Sequence, residues 1–290
     1  MFSCRLCGGL GNQLFQIFTT IAYAMKYNRS FFFLNDTQLG HGENGSTIRY
    51  TYWSSFLSRL KIFLKNNDQV PLMTMIHETN FSYNDLHLNQ HFINNNNILL
   101  VGYFQSAKYF DMYKDTICRL LKINHYQKFL KENLSVKFED YQTISIHFRF
   151  GDYKKYPNVY PILDDRYYTN ALSYILKELN MRGNDKEIII IYFCENNILN
   201  EVEEIINKLK IKFNVIFQRA DNNLEDWEEM LFMSLCQHNI IANSTFSWWG
   251  AYLNQNTSQL VCYPSEWFKP ETNHDTRDLP LNSWKSIEIV

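Results

Sequence analysis

Residues 243–253 read Asn-Ser-Thr-Phe-Ser-Trp-Trp-Gly-Ala-Tyr-Leu and follow the apolar run Asn239 to Ala242. A strand that ends in Ser and Thr and then turns into a helix gathers backbone N–H groups and hydroxyls around one point. That is how a protein holds phosphate without a net positive surface. Asn243, Ser244, Thr245 and Ser247 are therefore candidate binding residues. Trp248 and Trp249 should pack the sheet or flank a flat ligand, and Trp248 is the candidate for the second role. A helix N-cap at Ser244 or Thr245, followed by core aromatics, is the plainer reading of the same residues.

Two further segments end in the same kind of place. Ile144, Ile146 and Phe148 alternate with Ser145, His147 and Arg149, the period of a strand. His147 and Arg149 then share a face at the carboxyl end, where open α/β sheets bind ligands. Gly151 and Asp152 make the turn that follows. An Arg149 paired with an internal carboxylate as a packing strut is the alternative. Near the amino terminus, Met1 to Cys7 runs into Gly8-Gly9-Leu10-Gly11-Asn12-Gln13, and Leu14, Phe15, Ile17, Phe18, Ile21 and Ala22 follow at helical spacing. Gly9 and Gly11 would let the backbone approach a phosphate or sugar closely, although a tight strand–helix turn explains them equally well. Asn12 and Gln13 offer amide donors and acceptors to a hydroxyl-rich ligand. The dinucleotide fingerprint is not matched, because Leu14 stands where its third glycine is required.

The elements that must position these residues read as an alternating series. After Thr143–Phe148 come a helix from Tyr167 to Asn180, a strand Ile188–Phe193, a helix Ile198 to Lys210 and a strand Asn214–Phe217. A helix from Glu225 to Gln237 and strands Asn239–Ala242 and Leu260–Tyr263 complete a pattern that implies a parallel sheet. His41 to Ser46 reads as a Gly/Asn-rich loop, and the polar stretch Lys131–Tyr141 places a domain boundary near residue 140. The expectation is an α/β protein with domains at 1–140 and 141–290, the last twenty or so residues packing back on the first domain.

The chain has 290 residues, is 46% apolar, and carries a net charge of −2 without a basic run, which argues against a nucleic-acid partner. Its longest apolar run, Ile188 to Phe193, is far short of the roughly 18–20 residues of a membrane span. With no room for a signal peptide ahead of Gly8, a cytoplasmic location is the default expectation. Cys4-Arg5-Leu6-Cys7 has no second pair at zinc spacing, so the six cysteines read as free thiols. No Asp-x-Asp metal motif occurs, and Asp164-Asp165 reads as the start of the Tyr167 helix. No metal and no cofactor are expected.

Taken together these segments resemble the α-1,2-fucosyltransferases. The resemblance rests on Gly8 to Gln13, on His147-Phe148-Arg149-Phe150-Gly151-Asp152-Tyr153 and on Asn243 to Ala251, with support from Gly102-Tyr103-Phe104-Gln105-Ser106 and Met233 to Ala242. It spans nearly the whole chain in the family's order. It implies a GT-B architecture, two Rossmann-like domains facing a cleft, with the nucleotide sugar held mainly by the C-terminal one. The implied reaction moves fucose from GDP-β-L-fucose to a sugar hydroxyl of a glycan acceptor with inversion, forming an α-1,2 linkage to galactose. Arg149 and His147 would meet the departing diphosphate, helped by Ser244, Thr245 and Ser247, and Asn12 would lie near the fucose or acceptor. Glu195 would accept from guanine. Asp152 is the first candidate for a general base, and orienting Arg149 is its alternative role. Two departures stand out: Phe150 occupies the position of the family's second arginine, and Phe193-Cys194-Glu195-Asn196 stands where the family shows Phe-Ser-Asp-Asp. Residues 36–58 and 154–166 are the loops that could shape an acceptor pocket. A fucosyltransferase of another linkage is the alternative within this reading, and a nucleotide-dependent oxidoreductase and a non-catalytic carbohydrate-binding protein are the competing classes.

Overall fold

The computed structural model describes residues 1–39, 48–221 and 223–289, so the expected loop His41 to Ser46 lies outside the described residues. The chain forms two compact units, Met1–His125 with Asp275–Leu281, and Tyr126–His274 with Asn282–Val290. The division thus falls at His125/Tyr126, within the helix Ile123–Asn133, and not near residue 140. The polar stretch that suggested the later boundary is no linker. Val136 and Phe138 inside it are buried against Ile191, Phe193 and Phe232 of the second unit.

The first unit has a three-stranded parallel sheet in the order Phe2–Cys4, Ile98–Val101, Thr74–His77. The helix Leu10–Lys26 packs against it and is buried over most of its length, including Leu14, Phe15, Ile17, Phe18 and Ile21. The helix is buried on nearly every side, Gln13, Gln16, Thr19 and Thr20 included, because it lies between the sheet and the Phe110 layer, with Phe18 edge-on to Phe110 at 5.4 Å.

The second unit contains a six-stranded sheet in the order Ile216–Arg219, Ile188–Phe193, Gln142–His147, His238–Ile240, Val261–Pro264, Lys285–Ile287. Every pairing is parallel. Numbered along the chain within this unit, the order is 3-2-1-4-5-6, that of a doubly wound nucleotide-binding sheet. The run direction reverses between Gln142–His147 and His238–Ile240, so the chain leaves those two neighbouring strands toward opposite sides. The divergence opens a crevice at their carboxyl ends. The connecting helices are Asp165–Met181, Leu199–Lys212, Asp226–Leu235 and Thr245–Tyr252. Asp164 caps the first of these by accepting from the Arg166 amide at 3.0 Å, the role that the Asp164-Asp165 pair suggests.

One face of this sheet buries Ile144, Ile146, Phe148, Ile190 and Ile240 against Tyr167, Tyr168, Leu172 and Ile206. The edge strand Lys285–Ile287 was not legible as a strand: Lys285 and Ser286 are exposed, and only Ile287 is buried. It is anchored by Trp284, whose ring lies 5.6 Å from that of Trp248.

Candidate active site

Strand Gln142–His147 delivers the central residues. Its last ladder bond runs from the Phe148 amide to the Phe193 carbonyl at 2.9 Å. Phe148 and Phe150 then both enter the core on one side, so Phe150 lies opposite Arg149, as strand alternation predicts. Gly151 brings the turn hard against the next strand's exit. A side chain there would meet Glu195 Oε2 at 3.1 Å and Ile198 Cγ2 at 3.3 Å.

Arg149 is the centre of the site. Its Nη2 donates to Asp152 Oδ2 at 2.7 Å, its Nη1 donates to Glu195 Oε1, and its guanidinium lies 5.3 Å over the Tyr153 ring. Its side chain is 19% exposed, so burial works against its charge. Tyr153, Asp152 and Glu195 outweigh that penalty and raise its pKa. The Arg149 Nε is buried and has no partner among the described residues. The same holds for Nδ1 of His147, which is 7% exposed. Burial first, and the Arg149 charge second, push the His147 pKa down to about 3, so its imidazole is neutral at physiological pH. Buried polar atoms are usually paired. Two orphans on neighbouring side chains at a sheet's carboxyl edge mark a place where a ligand's oxygens can bind.

The segment Asn243 to Tyr252 forms the other wall. Ser244 is the N-cap of Thr245–Tyr252, accepting from the Phe246 amide at 3.3 Å. The Phe246 ring lies 5.5 Å from His147, which brings this helix start beside the strand end. Tyr153, stacked on Tyr160 at 3.9 Å, donates its hydroxyl to the Asn243 carbonyl at 2.9 Å. Tyr153 therefore touches both Arg149 and the helix start, a linking role that the sequence does not announce.

Several residues expected at the ligand turn out to be framework. Trp248 is fully buried, stacked on Tyr252 at 4.7 Å and edge-on to Trp249 at 5.2 Å, and it offers no surface to a flat ligand. Its i, i+4 spacing to Tyr252 is a core signal. Asn243 is buried and donates to the carbonyls of Pro161 and Trp267, at 3.1 and 3.3 Å. Ser247 is buried and donates to the Ser244 carbonyl at 3.3 Å. Gly250 has a packing role, since a Cβ there would meet Met233 Cβ at 2.7 Å on the neighbouring helix. Glu195, expected to face guanine, is paired with Arg149 in this structure, and so is Asp152.

The glycine-rich motif belongs to the first unit. Gly8 has φ +77°, and a side chain on it would meet Asn12 Nδ2 at 2.4 Å, so a glycine is required. Gly9 is the N-cap of Leu10–Lys26, and Gly11 is buried in its first turn. Gln13 is buried and donates to the carbonyls of Gly8 and Tyr50, at 3.1 and 2.9 Å. Asn12 Oδ1 accepts from Gln105 Nε2 at 3.0 Å, and Gln16 Nε2 donates to the Gly102 carbonyl at 2.9 Å. The motif is thereby fastened to Gly102–Gln105, a loop that Glu78 holds by accepting from the Tyr103 and Phe104 amides at 2.7 and 2.9 Å. A surface depression of about 440 Å³ on this unit, lined by residues such as Asn35, Trp53, Lys61 and Gln69, shares no residue with the motif.

Among the described residues, no group of three or more His, Cys, Asp and Glu side chains is placed to hold a metal ion. No described helix is long and apolar enough to cross a membrane.

A doubly wound parallel sheet with an arginine, a neutral histidine and a serine-capped helix start at its switch point defines an α/β protein whose candidate site lies at that edge. The chain belongs to glycosyl transferase family 11, whose model matches residues 49–288. It is 28% identical to the O-antigen biosynthesis glycosyltransferase WbnK of Escherichia coli, an alignment covering 99% of this chain and all of that protein. It is 27% identical to an alpha-1,2-colitosyltransferase of Escherichia coli over 65% of this chain and 62% of that protein. Both relatives are named as glycosyltransferases, and the chain is accordingly a glycosyltransferase. The family match begins at residue 49, after the glycine motif Gly8 to Gln13, whereas the alignment with the first relative extends across that motif as well.

Proposed function

We propose that the enzyme transfers L-fucose from GDP-β-L-fucose to a sugar hydroxyl with inversion, forming an α-1,2 linkage to galactose or a related acceptor. The observation that carries this reading is Arg149 at the switch point, with its unpartnered Nε beside His147 and the Ser244 helix start. As the acceptor oxygen bonds to C1 of fucose, the bond from C1 to the β-phosphate oxygen breaks and its electron pair leaves with GDP. Arg149 is permanently charged and stabilises that pair as it develops. His147, neutral, offers one N–H or one lone pair beside it, and the Ser244–Thr245 helix start contributes backbone donors. Asp152 and Glu195 act as the counter-ions that orient Arg149. The acceptor proton leaves late and passes to water, since an oxocarbenium-like transition state makes little demand on a base. No divalent metal is needed in this scheme. A two-domain GT-B organisation, with the donor on the second unit and the acceptor on the first, is part of the proposal, and Asn12 and its partner Gln105 are the first unit's sugar-facing amides.

The motif resemblance supports fucose, and the second relative's name supports the α-1,2 linkage. That name also favours one alternative, in which colitose is the sugar transferred. The test is incubation with GDP-fucose and a panel of β-galactosides, with the product linkage read by NMR. An α-1,2-fucosylated product supports the proposal, and turnover of a colitose donor alone replaces it with the alternative.

A further inference from the structure

Charge balance around Arg149 points to a second cation. One guanidinium is shared by two carboxylates, Asp152 and Glu195, and that cluster alone repels a diphosphate more than it attracts one. Lys154 does not fill the gap. It is paired with Glu201 and lies 5.4 Å over the Phe150 ring. Arg219 stands differently. It is the last residue of strand Ile216–Arg219, in register with Tyr192 of the adjacent strand, and so reaches the same carboxyl edge. Its Nη2 donates to the side-chain oxygen of Asn196. Asn196 follows Glu195, the partner of Arg149, so two neighbouring residues at one strand exit hold two arginines. Among the described residues no carboxylate lies within ion-pair distance of Arg219. The half-buried Glu229 nearby is only a partial counter-charge at neutral pH, because burial, Asp226 and Glu195 push its carboxyl up to about 7 against the pull of Arg219.

We propose that Arg219 is a second phosphate-binding guanidinium of the donor site, held by Asn196 as Arg149 is held by Glu195, and that it recognises the diphosphate of a nucleotide sugar. The inference rests on the reading of this edge as the donor site, but not on the identity of the base. Arg219 is partly buried and its partners, the Asn196 amide and the Cys194 thiol, are neutral, so its replacement strands no buried charge and should change stability modestly.

The test is calorimetric titration of wild type, Arg219→Ala and Arg219→Lys with GDP, UDP and ADP, each beside its monophosphate. A lost charge-assisted contact should weaken the preferred diphosphate about tenfold or more in Arg219→Ala. The monophosphate should move much less, and Arg219→Lys should fall between. If Arg219→Ala proves unfolded, Arg219→Gln, which can still donate to Asn196, carries the same contrast. Equal weakening of both ligands, or no weakening, overturns the proposal. Preference of wild type for UDP or ADP would refute the guanine reading while the Arg219 contrast still decides this one. A wild type that binds none of the diphosphates removes both.

Discussion

Glu195→Gln separates two incompatible roles by the sign of its effect. If Glu195 is the counter-ion of Arg149, as placed, it competes with a diphosphate for the same guanidinium. If it is instead the acceptor for guanine, removing its charge must weaken donor binding. The size follows from Coulomb's law. Two anions sharing one guanidinium sit about 6 Å apart, which costs about 0.7 kcal/mol per charge pair in water and about 2.8 at an effective dielectric of 20. The Glu195 side chain is 44% exposed, so the lower end applies. With two phosphate charges nearby, the gain is roughly 0.7–1.4 kcal/mol, or about three- to tenfold tighter GDP. Gln can still accept from Arg149, and Asp152 remains, so the arginine stays oriented. Isothermal titration at low and high salt is the assay, and the gain should shrink as salt screens the carboxylate. Weaker GDP binding in Glu195→Gln, with lost preference for guanine over other bases, would refute the counter-ion reasoning.

Two further outcomes are expected. Activity should survive EDTA, because in the proposed scheme the leaving charge is met by Arg149, Arg219 and the Ser244 helix start; a loss restored by Mn²⁺ or Mg²⁺ would contradict this. Stability should fall with acid. His147 and His238 are pushed down to about 3 and about 4, by burial first and then by Arg149 and Arg182 respectively. Their lowered folded values mean that each contributes stability above its usual 6.5 and loses it as the pH falls toward the folded value. His238 Nδ1 accepts from the Leu260 amide at 2.9 Å, a bond that protonation forbids. By pH 4.5 the loss is roughly 2–3 kcal/mol for each histidine. Glu229 works in the opposite sense: its raised pKa favours the fold below the usual 4.5, and that contribution is lost as the pH rises through about 7. The melting temperature should therefore fall between pH 6.5 and 4.5, and more steeply in Glu229→Gln; a flat profile in that variant would be the contrary result.

Much of the second unit was legible because its strands and helices differ in period. Ile188–Phe193 is a strand as read, and Ile144, Ile146 and Phe148 do share one buried face. Strand order was not legible, since alternation reveals which face is buried but not which neighbour it pairs with. The short edge strand Lys285–Ile287 has too little apolar content to announce itself. At the site, residue type and spacing singled out Arg149 and His147 correctly as neighbours at the sheet's edge. They could not separate side chains that hydrogen-bond backbone carbonyls, such as Gln13, Asn243 and Ser247, from side chains open to a ligand, because an amide or hydroxyl serves either purpose. The pairing of Asp152 and Glu195 with Arg149, and the placing of Arg219 beside them, depend on three adjacent strand exits that only the fold brings together.

The central claim is that Arg149 stabilises the leaving diphosphate, and kcat of Arg149→Ala with GDP-fucose and a β-galactoside tests it most directly. Its contact should strengthen as the glycosidic bond breaks, so the loss should appear chiefly in kcat, by roughly 10²–10³-fold or more. Arg149→Lys should recover little, because an ammonium cannot reproduce the planar fork. A folded Arg149→Ala enzyme whose turnover stays within a few-fold of wild type would contradict the account.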